Sequence, residues 1–196
     1  AHLAAHSRPG LVVNGSVINT PVPADPNRQP ARVNDFSRAF FATGNVSVAR
    51  DKLFEAGLFD EDFIEYGWED LEIGKRLRQL GLKRSKSLEA WSYHVTPPLT
   101  SESIPALLRK ERERGHTAVL FYRKNPTTSV KYTTLITPLF FAWVKLLTPF
   151  RWPDRPGTQK LLATLEKKGY KFVFNLLVMI MRSYAYVQGI KEALDR

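Results

Sequence analysis

The chain has 196 residues, no cysteine, and 29 Lys and Arg against 19 Asp and Glu, a formal charge of +10 at neutral pH. Without cysteine there are no disulfide staples or thiolate zinc sites, and with 43% hydrophobic and 12% aromatic residues the chain can bury a core, which excludes disorder as the default. The charge is lopsided: residues 1–100 hold 12 basic and 12 acidic side chains, whereas residues 101–196 hold 17 and 7, so the whole excess lies in the second half.

That shift, with the Thr96-Pro97-Pro98 stop, divides the chain into residues 1–100 and a basic, mostly helical region 101–196. In the first part, residues 11–18 read as two short strands around Asn14-Gly15, or as one strand with a bulge. Four prolines between Pro21 and Pro30 mark a loop. Residues 40–43 read as a strand ending at Gly44, where a missing Cβ lets the backbone approach a ligand. Residues 51–56 form a short helix closed by Gly57. Gly67-Trp68 reads as a tight approach into a helix over residues 69–80, which Gly81 stops. Glu69 and Asp70 then lie in the first turn, where free N–H groups and the helix dipole favour carboxylates. Such a pair is either a plain helix cap or a group that accepts a proton or a hydroxyl. Arg76, seven residues after Glu69, returns to the same face as a supporting ion-pair partner for the carboxylates, and Glu72 points to solvent. Residues 82–95 form a strand ending near His94.

In the second part, residues 104–124 read as a basic helix ended by Asn125-Pro126, with Arg112, Arg114 and His116 around Gly115 solvated or facing lipid. Residues 132–150 are apolar but interrupted by Pro138, Lys145 and Pro149. After a proline-rich hinge at 152–157, one helix runs from about residue 158 to the end, with an apolar centre at 172–181. Neither apolar stretch supplies the roughly 20 predominantly apolar residues that a span needs. Flanked by Lys167, Lys168, Lys171 and Arg182, they fit insertion into an anionic membrane surface, or packing against other protein. No nucleic-acid module accompanies the charge, so nucleic acid is not an expected partner.

Four stretches of the first part stand in a particular order: Thr43-Gly44-Asn45-Val46-Ser47 with Arg50, Gly57-Leu58-Phe59-Asp60-Glu61-Asp62-Phe63, Gly67-Trp68-Glu69-Asp70 with Arg76, and finally His94. Across residues 11–95 this set resembles the C-terminal half of the catalytic domain of inverting family 2 glycosyltransferases and the related galactosyltransferase C-terminal domain. The resemblance implies an α/β fold, the acceptor-side half of a GT-A (doubly wound, Rossmann-like) domain followed by the basic helical appendage. It implies transfer of a sugar, with inversion, from a nucleotide-sugar donor to a saccharide or lipid-linked acceptor. By the same resemblance, Asp70 is the catalytic base, Glu69 orients acceptor hydroxyls, and Trp68 behind Gly67 either stacks on the sugar or fills the core. Gly44, Asn45 and Ser47 either line the cleft beside the donor or form a tight turn that only shapes the fold. His94 completes coordination of Mn²⁺ or Mg²⁺ with an Asp-x-Asp carboxylate. The only Asp-x-Asp here, Asp60-Glu61-Asp62, belongs to the Phe-Asp-Glu run, so the chain is expected to lack the nucleotide-binding half and to be inactive alone. A cytoplasmic, peripheral membrane location follows; the rival expectation is a non-catalytic module docking such an enzyme to glycan or membrane.

Overall fold

The computed structural model describes residues 1–21 and 32–195. Most of the proline-rich loop expected at 21–30 lies outside the described residues. The chain forms two compact units, one of Ala1–Asp62 with Glu69–Pro98, the other of Phe63–Trp68 with Leu99–Arg196. The break at Pro98 falls beside the charge boundary, and the exception is residues 63–68, which join the second unit.

The first unit is mixed α/β. Its sheet runs β2-β1-β3, with β1 (Leu11–Thr20) antiparallel to β2 (Val46–Val48) and parallel to β3 (Lys83–Val95). Three helices accompany it: α1 (His2–Ala5), α2 (Arg50–Glu55) and α3 (Glu69–Gln79). As the central strand, β1 is buried continuously from Leu11 to Ser16, the pattern of a strand covered on both faces. Asn14-Gly15 makes no hairpin turn. The strand continues through a bulge at which Gly15 pairs with Ser87 but Ser16 pairs with Trp91. Glycine is required there, since a Cβ at residue 15 would lie 2.0 Å from the Ala90 carbonyl oxygen.

Residues 40–43 are not a strand. The Phe40 carbonyl accepts from the Asn14 side chain at 2.9 Å instead of from a ladder partner, and Phe41 turns inward to join Val12, Ala56, Ile73, Leu77 and Leu82 in the core. Ile73 and Leu77, four apart on α3, present one face to that cluster. Acids in the first turn of α3 and Arg76 and Arg78 in its last complement the helix dipole, and Gly81 follows with φ 82°. This three-stranded arrangement is α/β, a coarser match than the doubly wound sheet expected.

The second unit is helical: α4 (Ile104–Lys124), α5 (Thr128–Thr133), α6 (Pro138–Leu147), α7 (Pro156–Lys167) and α8 (Lys171–Leu194). Its centre is the crossing of α4 and α8, where glycines let the two backbones touch. A Cβ on Gly189 would meet the Arg112 carbonyl oxygen at 2.0 Å, and one on Gly115 the Tyr186 carbonyl oxygen at 2.3 Å. Thr127 and Thr137 cap α5 and α6 through their hydroxyls. The single terminal helix expected from residue 158 is two. Gly169, at φ 73°, ends α7 in a left-handed turn closed by Tyr170 N–H to the Leu165 carbonyl at 2.9 Å.

By length and composition, Thr128–Leu147 and Lys171–Leu194 are both long and apolar enough to cross a membrane, against the expectation from their interruptions. In the fold the first is broken between α5 and α6, where Leu135 takes φ 56°. Half of the apolar window of the second is buried.

Candidate functional site

Gly67 and Trp68, immediately before α3 in sequence, both take left-handed backbone, with φ of 106° and 71°. For tryptophan this conformation costs about 1–3 kcal/mol and persists only where surroundings over-determine it. They do so here within the second unit. The indole N–H donates to the Arg114 carbonyl at 2.8 Å, and the ring stacks on Phe121 with centroids 6.2 Å apart. The Arg114 guanidinium lies over Tyr186 at 4.8 Å and over Trp68 at 6.0 Å. Of the two roles open to Trp68, the contacts are those of a core residue. Gly67 is pinned as well, because a Cβ there would come within 2.7 Å of Arg114 Cγ. Gly67→Ala is therefore expected to destabilise the second unit by about 2 kcal/mol, checked by chemical denaturation followed by tryptophan fluorescence.

Asp70 lies in the first turn of α3 and is half-buried. Its Oδ2 accepts twice from Thr43, from the backbone N–H at 3.1 Å and from the hydroxyl at 2.8 Å. Its Oδ1 is buried and has no hydrogen-bond partner among the described residues, and the same holds for Glu69 Oε2. A buried carboxylate oxygen without a partner costs a few kcal/mol and calls for an explanation, of which a role in binding or catalysis is one. The arrangement holds the Asp70 carboxylate by one oxygen and leaves the other uncommitted. Thr43 is the residue that sequence reasoning missed: its partner is 27 positions away, and nothing local to residue 43 points there.

Two further expectations for α3 are corrected. Glu72 does not point to solvent; it is buried. Arg76 does not pair with Glu69 or Asp70. It binds Glu72, at 2.8 and 3.0 Å from Nε and 2.5 Å from Nη2, and also donates to the Ala56 carbonyl. Burial explains the choice: Glu72 is one helical turn away and buried, and an unpaired buried carboxylate is costly.

The turn at residues 44–47 serves the sheet. Asn45 donates to the Ser16 and Ala90 carbonyls, both at 2.9 Å, and so satisfies the acceptors that the β1–β3 bulge leaves unladdered. Its Oδ1 meets His2 Nε2 at 2.7 Å. Ser47 Oγ lies 2.8 Å from His2 Nδ1 and 2.8 Å from His6 Nε2. These polar groups are occupied by protein, the contacts of a turn that shapes the fold. Gly44 is exposed, and a Cβ there would meet Val17 Cγ2 at 3.8 Å, an ordinary van der Waals contact, so packing of the described residues does not require glycine at this position.

His94 stands near the end of β3, exposed, with Nδ1 3.0 Å from Asn19 Oδ1 and 3.3 Å from Thr96 Oγ1. Asn19 Oδ1 only accepts, so Nδ1 carries the proton and the Nε2 lone pair is available to a cation, the geometry common for metal-binding histidines. One imidazole fits one ligand position. Among the described residues no group of three His, Cys, Asp or Glu side chains stands together to complete a site, and hard divalent cations take several oxygens.

The polar residues flanking Gly115 face neither lipid nor water alone. Arg112 pairs with Glu192. His116 sits between Glu65, 2.7 Å from Nδ1, and Glu192, 3.0 Å from Nε2. Arg112 first, then His116, hold the Glu192 carboxyl below its usual range. Buried Glu111 bridges Arg182 at 2.5 Å and Arg114 at 3.2 Å. Tyr186, whose phenol burial pushes up, donates to the Thr134 carbonyl at 2.6 Å. The basic helix spends much of its charge inside its own unit.

Against known proteins, the chain is 46% identical over 59 residues to a chondroitin synthase of Escherichia coli, covering 30% of this chain and 9% of that protein. It is 40% identical over 67 residues to a hyaluronan synthase of Pasteurella multocida, 34% of this chain and 7% of that one. It is 33% identical over 103 residues to a validoxylamine A glucosyltransferase of Streptomyces hygroscopicus subsp. jinggangensis (strain 5008), 53% of this chain and 21% of that one. The chain thus spans about a fifth or less of the length of these relatives, and they are glycosyltransferases. No family model matches the chain, and no solved structure does.

Proposed function

We propose that this chain carries the acceptor-side part of a glycosyltransferase, one that moves a sugar with inversion from a nucleotide-sugar donor to a saccharide or lipid-linked acceptor. The observation that carries the reading is the Asp70 carboxylate, fixed through one oxygen by Thr43 and uncommitted at the other, in a chain whose similar proteins are glycosyltransferases. Inversion needs a single displacement, in which the acceptor oxygen attacks the anomeric carbon as the nucleoside diphosphate departs with the bonding electron pair. Asp70 takes the acceptor proton and becomes the carboxylic acid. Glu69, its neighbour with an unpartnered oxygen, accepts from acceptor hydroxyls and aligns the attack. His94 Nε2 is the side-chain group here that fits a divalent cation, completed by carboxylates from outside the described residues. Such a cation supplies charge to the departing diphosphate.

The test is a panel of nucleotide sugars and saccharide acceptors offered to the full-length gene product with Mn²⁺. Nucleoside diphosphate release that requires an acceptor, with a product of opposite anomeric configuration by NMR, is the expected outcome. Release with retained configuration overturns inversion, and no transfer from any donor overturns the enzyme reading. Thr43 separates positioning from fold. Thr43→Val keeps the backbone bond to Asp70 but removes the hydroxyl, so kcat is expected to fall about tenfold with KM little changed, while Thr43→Ser restores it.

A further inference from the structure

Among the described residues, the outward side of α6 is largely left exposed by its own unit. Phe140, Phe141 and Val144 pack inward, whereas Leu139, Trp143 and Leu146 are 81%, 44% and 76% exposed. Phe150, 86% exposed, extends the row beyond the helix. The spacing 139, 143, 146 places three of these side chains on one face of α6. Left-handed backbone at Phe150 and Arg151, with φ of 53° and 52°, shapes the turn that presents the last ring. Arg151 is fixed behind it by Asp154 and the Tyr184 hydroxyl, both 3.0 Å from Nε. Bulky apolar side chains aligned this way in water mark an interaction surface.

Charge names the partner. From Arg123 to Lys145 the sequence holds four Lys and Arg and no Asp or Glu, and Lys145 is exposed on α6 among the apolar residues. We infer that this face docks the protein on an anionic lipid bilayer, α6 lying in the plane of the headgroups with Leu139, Leu146 and Phe150 in the acyl boundary and Trp143 at the polar edge. Length argues against a span. Ten residues at about 1.5 Å each reach roughly 15 Å, half of a hydrocarbon core of about 30 Å. The inference rests on the second unit alone and does not depend on the glycosyl-transfer reading.

Cosedimentation of the full chain with vesicles tests it. Vesicles of phosphatidylcholine with about one-third phosphatidylglycerol are expected to bind about tenfold more tightly than phosphatidylcholine alone. Leu139→Glu with Leu146→Glu is expected to weaken binding at least thirtyfold while leaving the helical circular dichroism and unfolding midpoint unchanged. Lys131→Glu with Lys145→Glu is expected to remove the preference for anionic vesicles. Failure of the wild-type chain to bind either vesicle overturns the inference, as does binding that the paired Glu variants leave intact. Concentration-dependent dimers in sedimentation equilibrium, abolished by the Leu139 and Leu146 changes and without vesicle binding, would assign the face to a second copy instead.

Discussion

Asp70→Asn is expected to lower transfer about a thousandfold in the full-length protein, within the range that a positioned general base supplies. The substitution is close to isosteric. The amide oxygen still accepts from the Thr43 N–H and hydroxyl, so the turn at residue 43 and the start of α3 stay in place. What the amide lacks is a basic oxygen to hold the acceptor proton. The expected signature is a kcat collapse with KM little altered and an unfolding midpoint within about 2 °C of wild type. A variant that keeps more than a tenth of its activity would take Asp70 out of the reaction and reduce it to a helix-capping acid.

The largest effect on stability is expected at the α4–α8 crossing. Gly189→Ala introduces a Cβ that would sit 2.0 Å from the Arg112 carbonyl oxygen, a backbone atom that no rotamer change can move. The helices must separate, and the Glu192 pairs with Arg112 and His116 loosen with them. Overpacking of this kind costs about 3 kcal/mol, a fall of roughly 10 °C or more in the midpoint of the helical signal. Gly157→Ala serves as the control, since a Cβ there meets nothing within 4 Å. Equal midpoints for the two variants would mean that the crossing is not backbone-to-backbone.

Features set by local chemistry were legible from the amino-acid order. α3 and α4 begin and end within about a residue of expectation, because the acidic first turn of α3, Gly81 and Asn125-Pro126 act over four residues or fewer. The position of Asp70 in the first turn was legible for the same reason. What could not be read depends on distant partners. Residues 40–43 have strand-like composition, but Asn14 and α3 claim Phe40 and Phe41. Glu72 looked like a solvated acid because its burial is a property of packing. Asn45 looked like a ligand-facing turn residue because the bulge it satisfies comes from strands 29 and 45 positions away. Gly169 was a local signal within reach, outweighed by the uninterrupted helix-forming residues on both sides of it.

The two bonds from Thr43 tie an acid on a helix to a loop that leads into the edge strand, so loop order and carboxylate aim become a single equilibrium. An alcohol that engages Oδ1 leaves both bonds to Oδ2 in place. By reciprocity, if loop order improves the aim of that oxygen, a bound alcohol stiffens the loop by the same factor.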